Sequence, residues 1–494
     1  MTTVHLDPNK IEDYRTFCKI KRLPSWSIRG RVATFPDEYA SRLGLAAEPP
    51  RFCNWQPSGF CFDYQRAIVD TALQKQKYAI FADCGLGKTI MFLEYVQGAM
   101  TQLNHRNKGA LIVSPLMVVR QTLDEAEKFY PGIEIEQVDA AHLNEWMRTC
   151  HGKIGITNYD AIKPELGQGE LGCLILDESS MLKSHYGKWG TKLIELGRGL
   201  DWKLCCSGTP APNDRIEYAN HAVILDHFPT VNSFLATYFV NRGQTQERWA
   251  LKDHALEQFY RSLSHWCIFL VNPATYGWQD QCATIPPIKV HIHEVPMSAE
   301  QSAASRDLTG CLFVANTGGI VSRSKLGQIA KGRYNGNDIE TAKPAFIRDL
   351  VGQWSDTEST LIWCIYNDEQ DKVSAMFPDA ASISGSTKFE DRQRAINEFK
   401  SGERKTLISK PKILGFGLNL QIATRQVFSG LQDSYESYYQ AVKRSNRIGS
   451  TKPLNVHIPI TDVEEPMVQN VLRKADMVQH DTEAQERIFK SCLN

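Results

Sequence analysis

The sequence has no excess of either charge: Lys plus Arg and Asp plus Glu number 56 each. Any nucleic-acid surface must therefore be a local patch and not a property of the whole chain. No apolar run approaches the roughly 20 residues that a membrane span needs. The opening "MTTVHLDPNK" is polar and has no secretory apolar core, so the expected location is the cytoplasm of the bacterial or host cell that makes it. Paired cysteines are lacking too. The 13 cysteines are scattered singly through stretches such as "CLILD" and "LIWCIY", the neighbours Cys205 and Cys206 do not readily bridge, and no CxxC occurs. That argues against a disulfide framework or a zinc module and for reduced, buried thiols. Internal repeats and low-complexity tracts are absent.

What is present is an ordinary globular composition, 42% hydrophobic and 23% charged over 494 residues, which is too long for a single core. Residues 1–55 read as a small accessory region. In it "SWSIRGRVATFP" alternates like a strand pair turning at Gly30, and "PDEYASRLGLA" suggests a helix with Pro36 in its first turn. "AAEPPRF" reads as a linker. From 56 to 215 short apolar runs ("YAIFA", "GALIVSP", "KIGITNY", "CLILDES", "WKLCCSG") alternate with amphipathic stretches, the pattern of a parallel sheet covered on both faces. Residues 216–345 turn helical and aromatic to about 285, pass through the extended connector "TIPPIKVHIHEVPMS" and become helical again. Alternation returns over 346–470, and a helical tail occupies 471–494.

The stretch "FADCGLGKT" ends an apolar run in Gly85 and Gly87 just ahead of Lys88 and Thr89. Backbone N–H groups of such a loop, at a helix start, form a concave anion site; the lysine neutralises phosphates and the hydroxyl holds Mg²⁺. Asp83 stands where a first glycine is usual. "CLILDESS" delivers Asp177 and Glu178 to a strand end. The first suits a cation and the second an attacking water. An acidic pair after a strand also serves as a helix cap or a solvated turn, but the loop upstream favours the chemical use.

The ordered series resembles the superfamily 2 helicases, and within them the Swi/Snf-type DNA translocases, over roughly residues 56–460. "DYQ" at 63–65 resembles the adenine-reading motif, "DCGLGKT" motif I, "LIVSP" Ia, "ITNYD" Ib, "LDES" II, "SGTPAPN" III, "GFGLNLQIA" V and "YYQAVKRSNRIGS" VI. "SISGSTKFEDRQRAINEFKSG" and "IPPIKVHIHEVPMSAEQ" are similar to the Swi/Snf branch in particular. Motif II ends in Ser179-Ser180 where histidine is common, so its contact to motif III would be remade by one of these serines. "CIFLVNP" replaces an arginine-lysine signature, and motif VI ends in Gly449-Ser450. No histone-reading appendage is visible, and the compactness is like that of bacterial or phage members.

The resemblance implies an α/β protein of two RecA-like parallel-sheet lobes, with helical insertions between motifs III and IV and a small N-terminal accessory region. It implies ATP and Mg²⁺ as cofactors. The nucleotide would be bound by Gln65, Asp83, Gly85, Leu86, Gly87, Lys88, Thr89, Gly417 and Gln440, with Thr89 and Asp177 on the metal. Lys88, Asp177, Glu178, Arg444 and Arg447 would carry catalysis, and the three-residue spacing of the arginines places both on one face of a helix. Ser207 and Thr209 would couple hydrolysis to the track, contacted through phosphates by Ser114, Asn158, Ser384, Ser386, Lys410 and Asn419. Three functions stay open: a motor on double-stranded DNA, a strand-separating DNA or RNA helicase, and an ATP-gated recruitment protein holding a partner through residues 1–55 or the insertion. No membrane partner is expected, and oligomeric state, direction and step size are not encoded legibly.

Overall fold

Two parallel sheets organise the chain, each the centre of its own unit in the computed structural model: residues 1–280 with 481–494, and residues 281–480. The structure describes all residues except 46–52, 183–187, 212–213, 244–248, 281–284, 311–319, 355–356, 415–417, 432–434 and 494. The linker "AAEPPRF" and the motif V residue Gly417 lie outside the described residues. Among described residues no helix is long and apolar enough to cross a membrane.

In the first unit the seven-stranded sheet runs, in spatial order, Cys267–Leu270, Lys77–Ala82, Trp202–Cys206, Leu171–Leu176, Gly109–Ser114, Ile154–Asn158 and Ile135–Gln137. Leu171–Leu176 and Gly109–Ser114 are buried at every position, as parallel strands covered on both faces must be. The five apolar runs of the sequence are five of these strands. Cys267–Leu270, which the sequence pattern places in the helical insertion, is instead an edge strand that pairs in parallel with Lys77–Ala82. Around it Phe81 packs on Tyr218, His221, Trp266 and Phe269, and Phe269 meets Phe489 of the C-terminal helix edge-on at 5.3 Å. Each such buried aromatic contributes roughly 1.5–3 kcal/mol, enough to hold the insertion on the sheet.

The accessory region is a three-stranded antiparallel sheet (Thr2–His5, Val32–Phe35, Ser27–Arg29) against helix Ile11–Ile20. The hairpin turns at Gly30, φ +59°. The helix expected after Pro36 is instead two 3₁₀ turns, Asp37–Tyr39 and Ser41–Leu43, closed by Gly44 in the left-handed region. Tyr39 and Ala40 are needed in the module's core, and these tight turns bury them without extending into a helix.

The second unit holds a six-stranded parallel sheet in the order Ile288–Glu294, Leu454–Ile460, Ala423–Phe428, Ser359–Trp363, Thr406–Ser409 and Ala381–Ser382. The extended stretch "TIPPIKVHIHEVPMS" thus supplies an edge strand of this sheet, Ile288–Glu294. Ile347, Ile362, Cys364, Val373, Ile408 and Val427 form its core. A buried charge cluster ties its far ends together: Glu464 accepts from Lys331 Nζ at 2.7 Å and also from Lys343 Nζ, which in turn donates to the Ser429 carbonyl at 2.7 Å.

Candidate nucleotide site

In open parallel sheets, ligands bind beyond the carboxyl ends of the strands, and the first unit collects its motif residues there. Backbone bonds carry the ladder one step past the strands: Asp177 N donates to Val113 O at 2.9 Å, and Ser207 N to Ile80 O at 3.2 Å. Asp177 is thereby fixed beside Ser114, and Ser207 beside the strand that feeds the phosphate loop.

The loop itself turns at Gly85 and Gly87, with φ of +92° and +74°. A side chain at Gly87 would also stand 2.3 Å from Gln65 Nε2, so both backbone angle and space demand glycine. Helix Lys88–Leu103 starts at once, placing its unsatisfied N–H groups at the loop. Lys88 is half-buried, and its Nζ donates to the carbonyls of Ala82 at 2.9 Å and Asp83 at 3.3 Å. Burial opposes its charge, but Cys84, Glu178, Asp83 and Asp177 outweigh that and raise its pKa. Asp83 is buried and accepts from Cys84 N at 2.6 Å, shaping the loop where a glycine is usual. Thr89 is half-buried in the first turn of the helix. Motif III comes alongside: a Cβ at Gly208 would lie 3.5 Å from Lys88 Nζ, and Ser207 Oγ accepts from Thr209 N at 3.1 Å.

Asp177 and Glu178 are 5% and 6% exposed. Asp177 Oδ2 accepts from Ser114 Oγ at 2.7 Å, Oδ1 accepts from Glu178 N at 3.0 Å, and its carbonyl accepts from Tyr159 OH at 2.7 Å. Burial, then the charge of Glu178, pushes its carboxyl up to about 7, against the Ser114 bond and Lys88. Glu178 has φ +50°, a conformation that costs a non-glycine residue roughly 1–2 kcal/mol; such strain is often stored at reacting centres.

The structure corrects three expectations. Ser114, assigned to the nucleic-acid track, has no exposed surface, because its hydroxyl is turned inward onto Asp177. Of the two motif II serines, Ser179 turns to a helix outside motif III, its Oγ lying 3.0 Å from His221 Nε2 on helix Tyr218–Ile224. Burial holds His221 at about 4, so it is neutral. Its Nδ1 faces the Glu217 carbonyl at 3.4 Å, which can only accept, so Nε2 is left to accept from Ser179. A histidine therefore does stand on motif II, arriving from another helix. Lastly, helix Tyr435–Val442 ends before the two arginines, which occupy the turns that follow and share no helix face.

Gln65 is buried with Oε1 accepting from Phe62 N at 3.0 Å and Nε2 donating to Leu86 O at 3.2 Å. Tyr64 OH donates to the same carbonyl at 3.0 Å. Gln65 thus braces the loop from beneath through Leu86. Glu94, which no motif pointed to, is fully buried on the loop's helix and accepts from Trp55 Nε1, Ser58 N and Tyr130 OH at 2.8–2.9 Å.

In the second unit Arg444 is 2% exposed, and its Nε and Nη2 have no hydrogen-bond partner among the described residues. Guanidinium donors are seldom buried unsatisfied, and these two are available to an anion. Arg447 is half-buried, its N donating to Ser450 Oγ at 3.2 Å, and Gln440 is buried near Glu436. Of the remaining track residues, Asn158 ends the strand Ile154–Asn158 and the others sit on loops. Asn158 caps a 3₁₀ turn through Asp160 N and Ala161 N, Ser384 Oγ lies 2.9 Å from Ser386 Oγ, Lys410 bonds Asn367, and exposed Asn419 bonds Gln421.

No cluster of three or more His, Cys, Asp or Glu among the described residues could hold a metal alone. Magnesium sites are commonly completed by one or two carboxylates plus substrate phosphates. The buried like-charged Asp177 and Glu178, one of them pushed up towards neutrality, fit a site that a divalent cation would relieve.

Comparison with known proteins adds a family. A model described as SNF2-related domain matches residues 64–335, and one described as helicase conserved C-terminal domain matches residues 342–449. The chain is similar to the ATP-dependent DNA helicase DDM1 of Arabidopsis thaliana, 23% identical over 455 residues, covering 80% of this chain and 58% of that protein. It is 21% identical over 536 residues to the ATP-dependent helicase FUN30 of Saccharomyces cerevisiae, covering 86% and 47%. The chain thus spans about half the length of these curated relatives. Among solved structures, the Sulfolobus solfataricus SWI2/SNF2 ATPase core in complex with dsDNA aligns at a TM-score of 0.40 with 17% identity, over 88% of this chain and 96% of that one.

Proposed function

Because this chain belongs to the SNF2-related family and carries a helicase C-terminal domain behind the family's own, we propose that it is a nucleic-acid-dependent ATPase that moves along double-stranded DNA without separating the strands. The observation that carries the reading is the convergence of Lys88, Asp177 and Glu178 at one end of the first sheet, close enough for the carboxylates to act on the Lys88 charge.

The loop amides and Lys88 hold the β- and γ-phosphates of ATP. Thr89 and Asp177 would hold Mg²⁺, which would supply neutralisation of charge on those phosphates. Ser114 keeps Asp177 oriented. Glu178 aligns a water against the γ-phosphorus and accepts its proton. In the second unit Arg444, two of whose buried guanidinium nitrogens have no hydrogen-bond partner among the described residues, and Arg447 are the candidates for binding an anionic group. Ser207 and Gly208, packed beside Lys88 on one side and leading to Thr209 on the other, relay the state of the phosphates to the track. Gln65 acts on the nucleotide chiefly by setting Leu86 and Gly87.

Steady-state hydrolysis measured without nucleic acid and with duplex DNA, single-stranded DNA or RNA tests the reading. Duplex is expected to stimulate most, with little dependence on sequence and a steep loss with salt. Stimulation by RNA alone, or unwinding of a forked duplex, would replace it with the helicase reading; no stimulation by any of them would favour recruitment.

A further inference from the structure

The accessory module has a surface that the nucleotide site does not use. Between residues 10 and 31 lie seven basic residues (Lys10, Arg15, Lys19, Lys21, Arg22, Arg29, Arg31) and two acidic ones (Glu12, Asp13), a local net of +5 in a chain whose overall net is zero. All seven are exposed, and among the described residues none is paired with a carboxylate. Basic side chains are usually distributed among acids on a neutral surface; here they are concentrated and left open.

Aromatic rings lie among them. Tyr14 is 59% exposed and stacks on Phe17, centroids 6.3 Å apart and planes 20° apart. Lys21 Nζ stands 5.7 Å from the Phe17 ring centre and 5.2 Å from that of Trp26. Arg15 and Lys19, four residues apart on helix Ile11–Ile20, are exposed and share one face of that helix. The inner edges of Phe17 and Trp26 pack on the core of Leu6, Ile20, Leu23 and Phe35, so the platform is held rigidly.

We propose that this face binds a single strand of nucleic acid, with the phosphates on the lysines and arginines and an unpaired base stacked on Tyr14. A basic track with an exposed ring is what sequence-tolerant single-strand binding requires. Duplex bases are already stacked and would leave the ring unused. An acidic peptide would answer the charge but offers no planar face to Tyr14.

The module is also fastened where binding would be felt. Glu38 accepts from Lys75 Nζ at 2.6 Å and lies 3.0 Å from His265 Nδ1, and Tyr39 OH lies 2.5 Å from the same nitrogen. Lys75 ends the helix Asp63–Lys75, whose first turn carries Gln65 and braces the phosphate loop. A strand held by the module therefore loads the helix beneath the nucleotide site.

The surface lies apart from that site and its test needs no turnover, so it stands or falls separately from the motor reading. Binding of a fluorescent oligothymidine and of a blunt duplex is followed by anisotropy, without nucleotide, across a salt series. Arg15→Glu/Lys19→Glu/Lys21→Glu should weaken oligothymidine binding at least tenfold and flatten its salt dependence by about 2, at roughly 0.7 for each phosphate no longer neutralised. Duplex affinity and the hydrolysis rate without nucleic acid should not change. Tyr14→Ala should lose roughly tenfold in oligothymidine affinity with the salt slope intact. Unchanged oligothymidine binding in both variants would overturn the proposal, as would an equal loss for duplex, which would make the face a duplex-binding surface.

Discussion

Ser114→Ala removes one hydroxyl and, on the geometry of the site, should move a pH profile. The Ser114 Oγ bond to Asp177 Oδ2, at 2.7 Å and fully buried, supports the ionised carboxylate. A hydrogen bond to a charged acceptor contributes about 1.5–3 kcal/mol. Since 1.36 kcal/mol corresponds to one pH unit, its loss should carry the Asp177 carboxyl about one to two pH units above its value of about 7. The sign follows from the direction. The folded value lies above the ordinary 3.8, so this group's contribution to stability is full below that pH and is lost as pH rises through about 7. Cation binding requires the ionised form, so turnover rises with pH over the same range. In Ser114→Ala the acid limb of kcat/KM for ATP, measured with saturating duplex, should move up by about one to two pH units. Near neutrality the rate should fall about tenfold and recover in alkaline buffer, with Ser114→Thr close to the parent. An unmoved acid limb together with a weakened response to duplex would refute the reasoning and return Ser114 to the track.

Glu178→Gln keeps the shape and removes the base, so ATP should bind, turnover should collapse and the ATP-bound protein should hold duplex more tightly; loss of ATP binding itself would make Glu178 structural. Arg444→Ala removes buried donors that have no partner among the described residues, so melting should change little while turnover falls about a thousandfold or more; a strongly destabilised variant with turnover intact would show that the arginine serves packing. Glu464→Gln leaves Lys331 and Lys343 buried without a counter-charge. Burial disfavours the Glu464 carboxylate, but the two ammonium groups outweigh it and hold it at about 2 against an ordinary 4.5. That difference is worth about 3 kcal/mol, is present above about pH 4.5 and is lost as pH falls through about 2. Calorimetry at neutral pH should show the second unit melting about 10 °C lower in the variant, and a change of a degree or less would mean the cluster contributes no net stability.

The sheets were legible because parallel strands are buried on both faces and appear as unbroken apolar runs, each ending in a polar motif. The phosphate loop was legible because Gly85 and Gly87 adopt angles that few other residues tolerate. Other features depend on neighbours distant in sequence. Cys267–Leu270 looks like any apolar helix end until Lys77–Ala82 pairs with it. Ile135–Gln137, three residues of which two are polar, carries no strand signal. A hydroxyl at a strand end, such as Ser114, can face the groove or the neighbouring strand, and only the register with Leu176 places Asp177 beside it. His221 carries no motif, and its place on Ser179 follows from the aromatic packing around Phe81. The two arginines are spaced for a helix, but the helix stops at Val442 and the chain passes into turns before reaching Arg444.

Displacement of a third strand from a triplex tests the central claim most directly. The third strand lies in the groove of an intact duplex, so a motor that tracks duplex phosphates must push it off, and a protein that only binds cannot. With ATP the chain should release the labelled third strand while the underlying duplex stays paired. Release should cease in Lys88→Ala and when hydrolysis is blocked. Release of a duplex strand in place of the third strand, or a triplex that survives while ATP is being hydrolysed, would contradict the account.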